Sequence, residues 1–130
     1  MNKALKDLIS LGRSQKTVEV FGKSWKLHTL DAQDQLLATN STSDYDNLSR
    51  VMALKVAILA HAIDSVDGEP LGNAGESREL LNKLQVPLIN RLYNEYEKLM
   101  DIQDDKLRNL DKVKTDDEEE KEEESSAKAI

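Results

Sequence analysis

Apolar positions follow a helical period through most of the chain, but between Val51 and Ile63 they occupy nearly every position. Only Lys55 and His61 are polar in that run. A helix that is apolar on every face needs neighbours on every side. We therefore predict a central helix over residues 45–64, in which Lys55 extends its ammonium group to water and His61 is a satisfied core residue.

Two amphipathic helices are predicted after the central one, over residues 76–85 and 87–103. Pro87 suits the first turn of the second of these helices, where its missing N–H is not needed. The apolar stripe of that helix comprises Leu88, Ile89, Leu92, Tyr93, Tyr96, Leu99 and Met100. Beyond Met100 the apolar residues are sparser and flanked by charge, so that segment needs a partner to bury them.

Residues 3–11 predict a further short amphipathic helix, with Leu5, Leu8 and Ile9 on one side and Gly12 after its end. A helix of this length is marginal in water, so it must dock on the body or on a partner. The acid within its apolar stretch and the break at Gly12 predict neither a signal peptide nor a membrane span.

A β-hairpin is predicted over residues 17–30. If Gly22 and Lys23 form a two-residue type II′ turn, the cross-strand partners follow directly. The apolar face then pairs Val20 with Trp25 and Val18 with Leu27, and the other face pairs Glu19 with Lys26 and Thr17 with His28. This register gives an apolar face and an opposite-charge pair together.

Trp25, the one tryptophan of the chain, has two interpretations. It is predicted as a core residue between the hairpin and the helices, and the alternative is an exposed anchor for a partner. His28 falls on the polar face of the predicted hairpin, where we expect it to be solvated.

These elements predict a fold that is mainly α with a small N-terminal β-hairpin (α+β), in which shorter helices pack around the central apolar helix. A single mostly helical domain is expected over residues 1–113.

The net charge of −7 arises from residues 116–124, which hold eight acids and one lysine. Because like charges without aromatic residues cannot order themselves, residues 114–130 are predicted to be a disordered acidic tail. Such a tail serves solubility or attracts a basic partner.

Residues that perform catalysis or hold cofactors are scarce. The chain has no cysteine, which fits a reducing compartment, and its two histidines are too few for a zinc motif. Its five glycines mark turns and helix ends instead of a phosphate loop. Asp64, Asp67 and Glu69 cluster at a turn, but their spacing fails the EF-hand pattern. We expect no enzyme activity, no cofactor and no metal, and the scattered basic residues predict no nucleic-acid surface.

The order of the elements resembles one known family. The likeness is carried by the hairpin exit Leu27-His28-Thr29-Leu30-Asp31, the helix end Ala62-Ile63, the segment Ser65-Val66-Asp67-Gly68-Glu69-Pro70-Leu71, then Leu80, Leu81, Leu84 and the helix of residues 92–99. Over residues 17–100 this pattern resembles the small tail assembly chaperones of long-tailed bacteriophages. The N-terminal helix has no counterpart in the likeness.

The resemblance implies a protein of the host cell cytoplasm that binds the tape measure protein and promotes assembly of the tail tube protein around it, without remaining in the virion. It implies no catalytic residues, and no membrane contact is expected. Amphipathic helices at both ends of the body suit an apolar helical client or a homo-oligomer. The predicted partner-binding residues are Leu5, Leu8, Ile9, Leu92, Tyr96 and Leu99.

Two other functions are compatible with the same features. A small structural subunit of a phage tail or baseplate would also expose amphipathic helices. An acidic nucleic-acid mimic that inhibits a DNA-binding enzyme would depend on the tail alone. Presence in purified virions favours the structural subunit, a slippery heptanucleotide in the overlapping gene favours the chaperone, and loss of activity on removal of the tail favours the mimic.

Overall fold

A computed structural model describes residues 2–119, with side chains described through residue 111. The elements, in chain order, are α1 (Lys3–Ser10), β1 (Gln15–Val20), β2 (Lys23–His28), α2 (Ala32–Asn40), α3 (Asn47–Ala62), β3 (Ile63–Val66), α4 (Ala74–Leu81) and α5 (Val86–Glu119). The described chain is mainly helical, with a small antiparallel sheet near the N-terminus. The predicted fold class is therefore confirmed.

Helix α3 lies at the centre, because α2, α4, α5 and β3 all pack against it. It begins after Asp46, whose carboxylate accepts a hydrogen bond of 2.8 Å from the Ser49 backbone N–H. Only its second half is enclosed: residues 56–60 are buried, whereas Leu48 and Val51 in the first half are exposed. The observed helix is thus slightly shorter at both ends than the predicted helix of residues 45–64, and its first half is not surrounded by other elements.

The hairpin between β1 and β2 turns one residue earlier than predicted. Phe21 and Gly22 are its two central residues, with φ of 50° and 77°, as a type I′ turn requires. Val18 therefore faces Trp25, and Val20 faces Lys23. Moving the turn by one residue changes each cross-strand partner by two positions. Because side chains alternate between the two faces of a strand, every side chain stays on its predicted face of the sheet. The predicted apolar face survives, although the predicted partners are wrong.

A third strand, β3, pairs with β2 and was not predicted. The pairing shifts register between Lys26 and Leu27, which leaves Asp64 as the extra residue of a bulge. Oδ1 of Asp64 lies 2.8 Å from Nδ1 of His28, and His28 is buried. The expectation of a solvated His28 is wrong, because the added strand covers that end of β2.

The turn expected around Asp67 and Glu69 follows β3 directly. Asp67 and Gly68 have φ of 51° and 83°, and Val66 exchanges both backbone hydrogen bonds with Glu69 across them. The Asp67 carboxylate accepts a bond of 2.8 Å from the Ser24 backbone N–H. This turn is therefore fastened to the start of β2.

The helices after the sheet differ from their predicted bounds. Helix α4 is displaced toward the N-terminus relative to residues 76–85, because Asn73 accepts a hydrogen bond from the Glu76 backbone N–H and caps it. Helix α5 continues far beyond residue 103, to Glu119. No glycine or proline stands between Leu88 and Glu119 to end it. Helix therefore replaces the start of the predicted disordered tail, and residues 120–130 lie outside the described residues.

Trp25 is a core residue, as predicted. Its side chain is buried, and its Nε1–H donates a hydrogen bond of 3.2 Å to the backbone carbonyl of Val20. It belongs to one continuous core whose largest fully buried apolar side chains are Leu27, Leu59, Leu81, Leu92 and Leu99. Lys55 is half-buried, with Nζ donating to Oδ1 of Asn90 at 3.1 Å. His61 is half-buried, so it is less enclosed than predicted.

Replacing Trp25 with Ala should lower the free energy of unfolding by about 3–5 kcal/mol, because the enclosed ring leaves a cavity. Urea denaturation measures this change. Leu48→Ala is the matched control at an exposed position, where we expect a change within about 0.5 kcal/mol. Wild-type stability in the Trp25 variant would contradict the buried position of the ring.

Phe21→Asn should raise the free energy of unfolding by about 1 kcal/mol, because asparagine tolerates the left-handed backbone that a bulky side chain disfavours. Thermal melting detects the gain, and Phe21→Val should lower the melting temperature. With the turn at Gly22 and Lys23, Phe21 would instead be a strand residue, and asparagine would destabilise it. Destabilisation by asparagine would thus contradict the observed register.

Candidate functional site

Helix α1 is amphipathic, and its apolar face has no cover. Asn2 caps it by accepting a hydrogen bond of 3.2 Å from the Leu5 backbone N–H. The chain leaves the helix at Gly12, which has φ of 73° and is the predicted residue after the helix end. Leu5, Leu8 and Ile9 are 54%, 60% and 69% exposed, and no residue of α1 is buried. The helix therefore offers an open apolar stripe.

Helix α5 carries a second apolar face, which lies opposite α1. At 3.6 residues per turn, Leu92, Tyr96 and Leu99 share one face, and all three are buried in the body. The same side of the helix continues to Leu107 and Leu110, which are 43% and 47% exposed. A face that belongs to the core in the first half of the helix is thus open in the second half.

An apolar groove, which we name the terminal groove, lies between α1 and the second half of α5. It comprises three concavities of about 380, 390 and 550 Å³, and Leu107 lines all of them. Its apolar walls are Leu8, Ile9, Leu11, Leu30, Met100, Leu107 and Leu110. Residues from the two ends of the described chain therefore form one concave surface.

One end of the terminal groove is polar, and we name Ser14, Gln103 and Lys106 the polar corner. Ser14 is buried, and two hydrogen bonds with Thr29 fix it: its N–H donates to the Thr29 hydroxyl at 3.1 Å, and its carbonyl accepts from the Thr29 N–H at 3.0 Å. The Ser14 hydroxyl donates to Oε1 of Gln103 and accepts from Nζ of Lys106 at 3.3 Å. Strand β1 and helix α5 are thereby joined at the groove.

The cations that line the terminal groove differ in their partners. Nη2 of Arg13 lies 2.9 Å from Oδ2 of Asp34 and 3.4 Å from Oδ2 of Asp31. The pKa of Asp31 lies below its ordinary value, chiefly because its carboxylate accepts a hydrogen bond from the Asp34 backbone N–H, and Arg13 adds to the effect. Arg108 is likewise paired, at 2.9 Å to Asp104.

Lys106 differs from both arginines. Its ammonium group donates to the Ser14 hydroxyl and forms no ion pair with any carboxylate in the part of the chain that the structure describes. Its side chain is exposed at the mouth of the groove. Among the cations that line the groove, Lys106 is therefore the one that no carboxylate of the described residues pairs with.

The predicted partner-binding residues form two groups. Leu5, Leu8 and Ile9 are exposed, and two of them line the terminal groove, so their role stays a prediction. Leu92, Tyr96 and Leu99 were predicted wrongly as an accessible face.

These three residues belong to the core because the first half of α5 packs against α3, β1 and β2. Burial, with a smaller contribution from neighbouring Tyr93, raises the pKa of Tyr96 to about 12. Tyr96 and the two leucines therefore cannot contact a client unless the body unfolds.

The predicted partner-binding residues did not include Leu107 and Leu110, although the segment beyond Met100 was expected to need a partner. The signal for them was the continuation of the α5 stripe at helical spacing beyond Met100. Ser14 and Gln103 had no such signal, since the polar corner exists only where the start of β1 meets α5 in space. Within the described residues, no group of acids and histidines is arranged to hold a metal ion.

None of the described helices combines the length and apolar content needed to cross a bilayer. Comparisons with protein-family models, with curated proteins and with solved structures find no match to this chain. The geometry of the terminal groove is consequently the main basis for an assignment of function.

Proposed function

We propose that this protein is a tail assembly chaperone of a long-tailed bacteriophage, acting in the host cell cytoplasm. In this proposal the terminal groove holds an amphipathic helical segment of the tape measure protein and keeps that protein soluble while tail tube subunits assemble around it. The protein performs no catalysis in this role. Its contribution is a surface that covers apolar residues of the client for a limited time.

The observation that carries the proposal is the open apolar face shared by α1 and the second half of α5. A folded body that encloses its own core yet leaves Leu8, Ile9 and Leu107 exposed in one concave surface has a place for further apolar side chains. A helix with apolar residues on one side fits such a groove. The resemblance of residues 17–100 to tail assembly chaperones supports the identity of the client.

The expected affinity suits a chaperone. Five side chains of the groove are about half exposed: Leu8, Ile9, Leu11, Leu107 and Leu110. Covering them contributes about 5 kcal/mol, since complete burial of one contributes about 1.5–3 kcal/mol. A client contributes a similar amount, and association costs at least about 4 kcal/mol. The remainder corresponds to a Kd of about 10–100 μM for the groove alone, which allows release during assembly.

Leu8→Glu combined with Leu107→Glu should abolish retention of the client. Both side chains face the groove and are exposed, so charge there blocks an apolar helix without entering the core. The measurement is the soluble fraction of the tape measure protein on co-expression, after circular dichroism has shown the variant folded. We expect the tape measure protein to be soluble with wild-type protein and insoluble with the variant.

Leu36→Glu combined with Leu48→Glu is the matched control, because these leucines are at least as exposed but do not line the groove. This control should retain the client. Retention by the groove variant would show that the client binds elsewhere. If wild-type protein never keeps the tape measure protein soluble, the chaperone proposal fails.

A small structural subunit of a tail or baseplate is the second candidate. The observation that favours it is a set of exposed apolar side chains away from the groove, on α2 and the first half of α3, which comprises Leu36, Leu37, Leu48 and Val51. A subunit inside an assembly contacts neighbours on more than one side. Detection of the protein in purified virions would favour this candidate over the chaperone.

A further inference from the structure

We infer that the terminal groove selects client helices that carry a glutamate or aspartate beside their apolar face, and that Lys106 contacts this carboxylate. The inference rests on the proposed function, since it concerns what the client must look like. It goes further by assigning the chemistry that distinguishes one amphipathic helix from another.

Charge complementarity favours an acidic side chain on the occupant. Arg13 and Arg108 line the groove, but each is already paired with a carboxylate of the same chain. Lys106 has no such partner among the described residues and stands at the mouth of the groove. An acidic side chain on the occupant would complete an ion pair there, whereas a basic one would be repelled.

The ammonium group of Lys106 has a defined hydrogen-bond partner in the polar corner. Ser14 is buried and its backbone is fixed by Thr29, and its hydroxyl accepts a hydrogen bond from Nζ of Lys106 and donates to Gln103. This hydrogen bond places the ammonium group beside Ser14, at the polar corner. A positioned polar group within an apolar seam sets the register of a partner helix.

The position of Lys106 on α5 fixes where the acid must stand. Leu107 is its neighbour and Leu110 lies one turn further on. When a client helix packs on both leucines, the client residues that come near Nζ of Lys106 are those within one turn of the client's own apolar residues. The occupant is therefore an amphipathic helix with an acid at that spacing, in preference to an apolar helix of any sequence.

The test uses three fluorescent helical peptides of about four turns, with leucines at positions i, i+3, i+4 and i+7 and Glu, Gln or Lys one turn from the central leucine. Fluorescence anisotropy measures their affinity for the full-length protein. We expect binding of the Glu peptide to be about tenfold tighter than that of the Lys peptide, with the Gln peptide between them, because an exposed ion pair contributes about threefold and its reversal a similar factor. The preference should weaken at high salt.

Lys106→Glu should reverse this order, so that the Lys peptide binds more tightly. Lys83→Glu makes the same change in net charge outside the groove, and should leave the order unchanged. Equal affinities of wild-type protein for the three peptides would overturn the inference. A wild-type dimer that Lys106→Glu dissociates in sedimentation would also overturn it, since the occupant would then be a second copy.

The two proposals fail in distinguishable ways. If the protein keeps the tape measure protein soluble but binds the Glu and Lys peptides equally, acid selection is wrong and the chaperone proposal remains. If the protein prefers the Glu peptide but never keeps the tape measure protein soluble, the chaperone proposal is wrong and acid selection by the groove remains.

Discussion

Enclosure of the second half of α3 determines how the other elements are arranged. Residues 56–60 are apolar on every side and buried, so elements before and after them must all be used as cover. Helices α2 and α4, the first half of α5 and strand β3 meet that need. Nothing in the described chain then remains to cover α1 or the second half of α5. The terminal groove is therefore a consequence of how the core is completed.

Local patterns predicted the elements better than the contacts between them. The apolar run around Val56 and the alternation around Trp25 gave the central helix and the buried strand face, because both depend on the sequence of one segment. The turn at Phe21 could not be anticipated, since a bulky residue with positive φ contradicts local preference. The burial of His28 and of Leu99 depends on which segments meet in space, and periodicity alone cannot distinguish a core stripe from a docking stripe.

The same limit applies to the candidate site. Leu8 and Ile9 were predicted for binding because a short amphipathic helix cannot bury its own face. Ser14 and Lys106 lie far apart in sequence, and their contact arises only because α5 passes the start of β1. The apolar part of the groove was thus within reach of sequence reasoning, whereas its polar corner required the fold. Specificity, in this account, resides in the part that only the fold creates.

Hydrogen exchange followed by mass spectrometry, on the free protein and on a mixture with the proposed client, the tape measure protein, shows whether the terminal groove is the surface that becomes covered. The free protein should exchange quickly in α1 and residues 104–111 and slowly in residues 56–60, because only the latter are enclosed. Binding should slow exchange in α1 and residues 104–111 together. Slowed exchange in α2 and the first half of α3, with both terminal elements unchanged, would contradict the account.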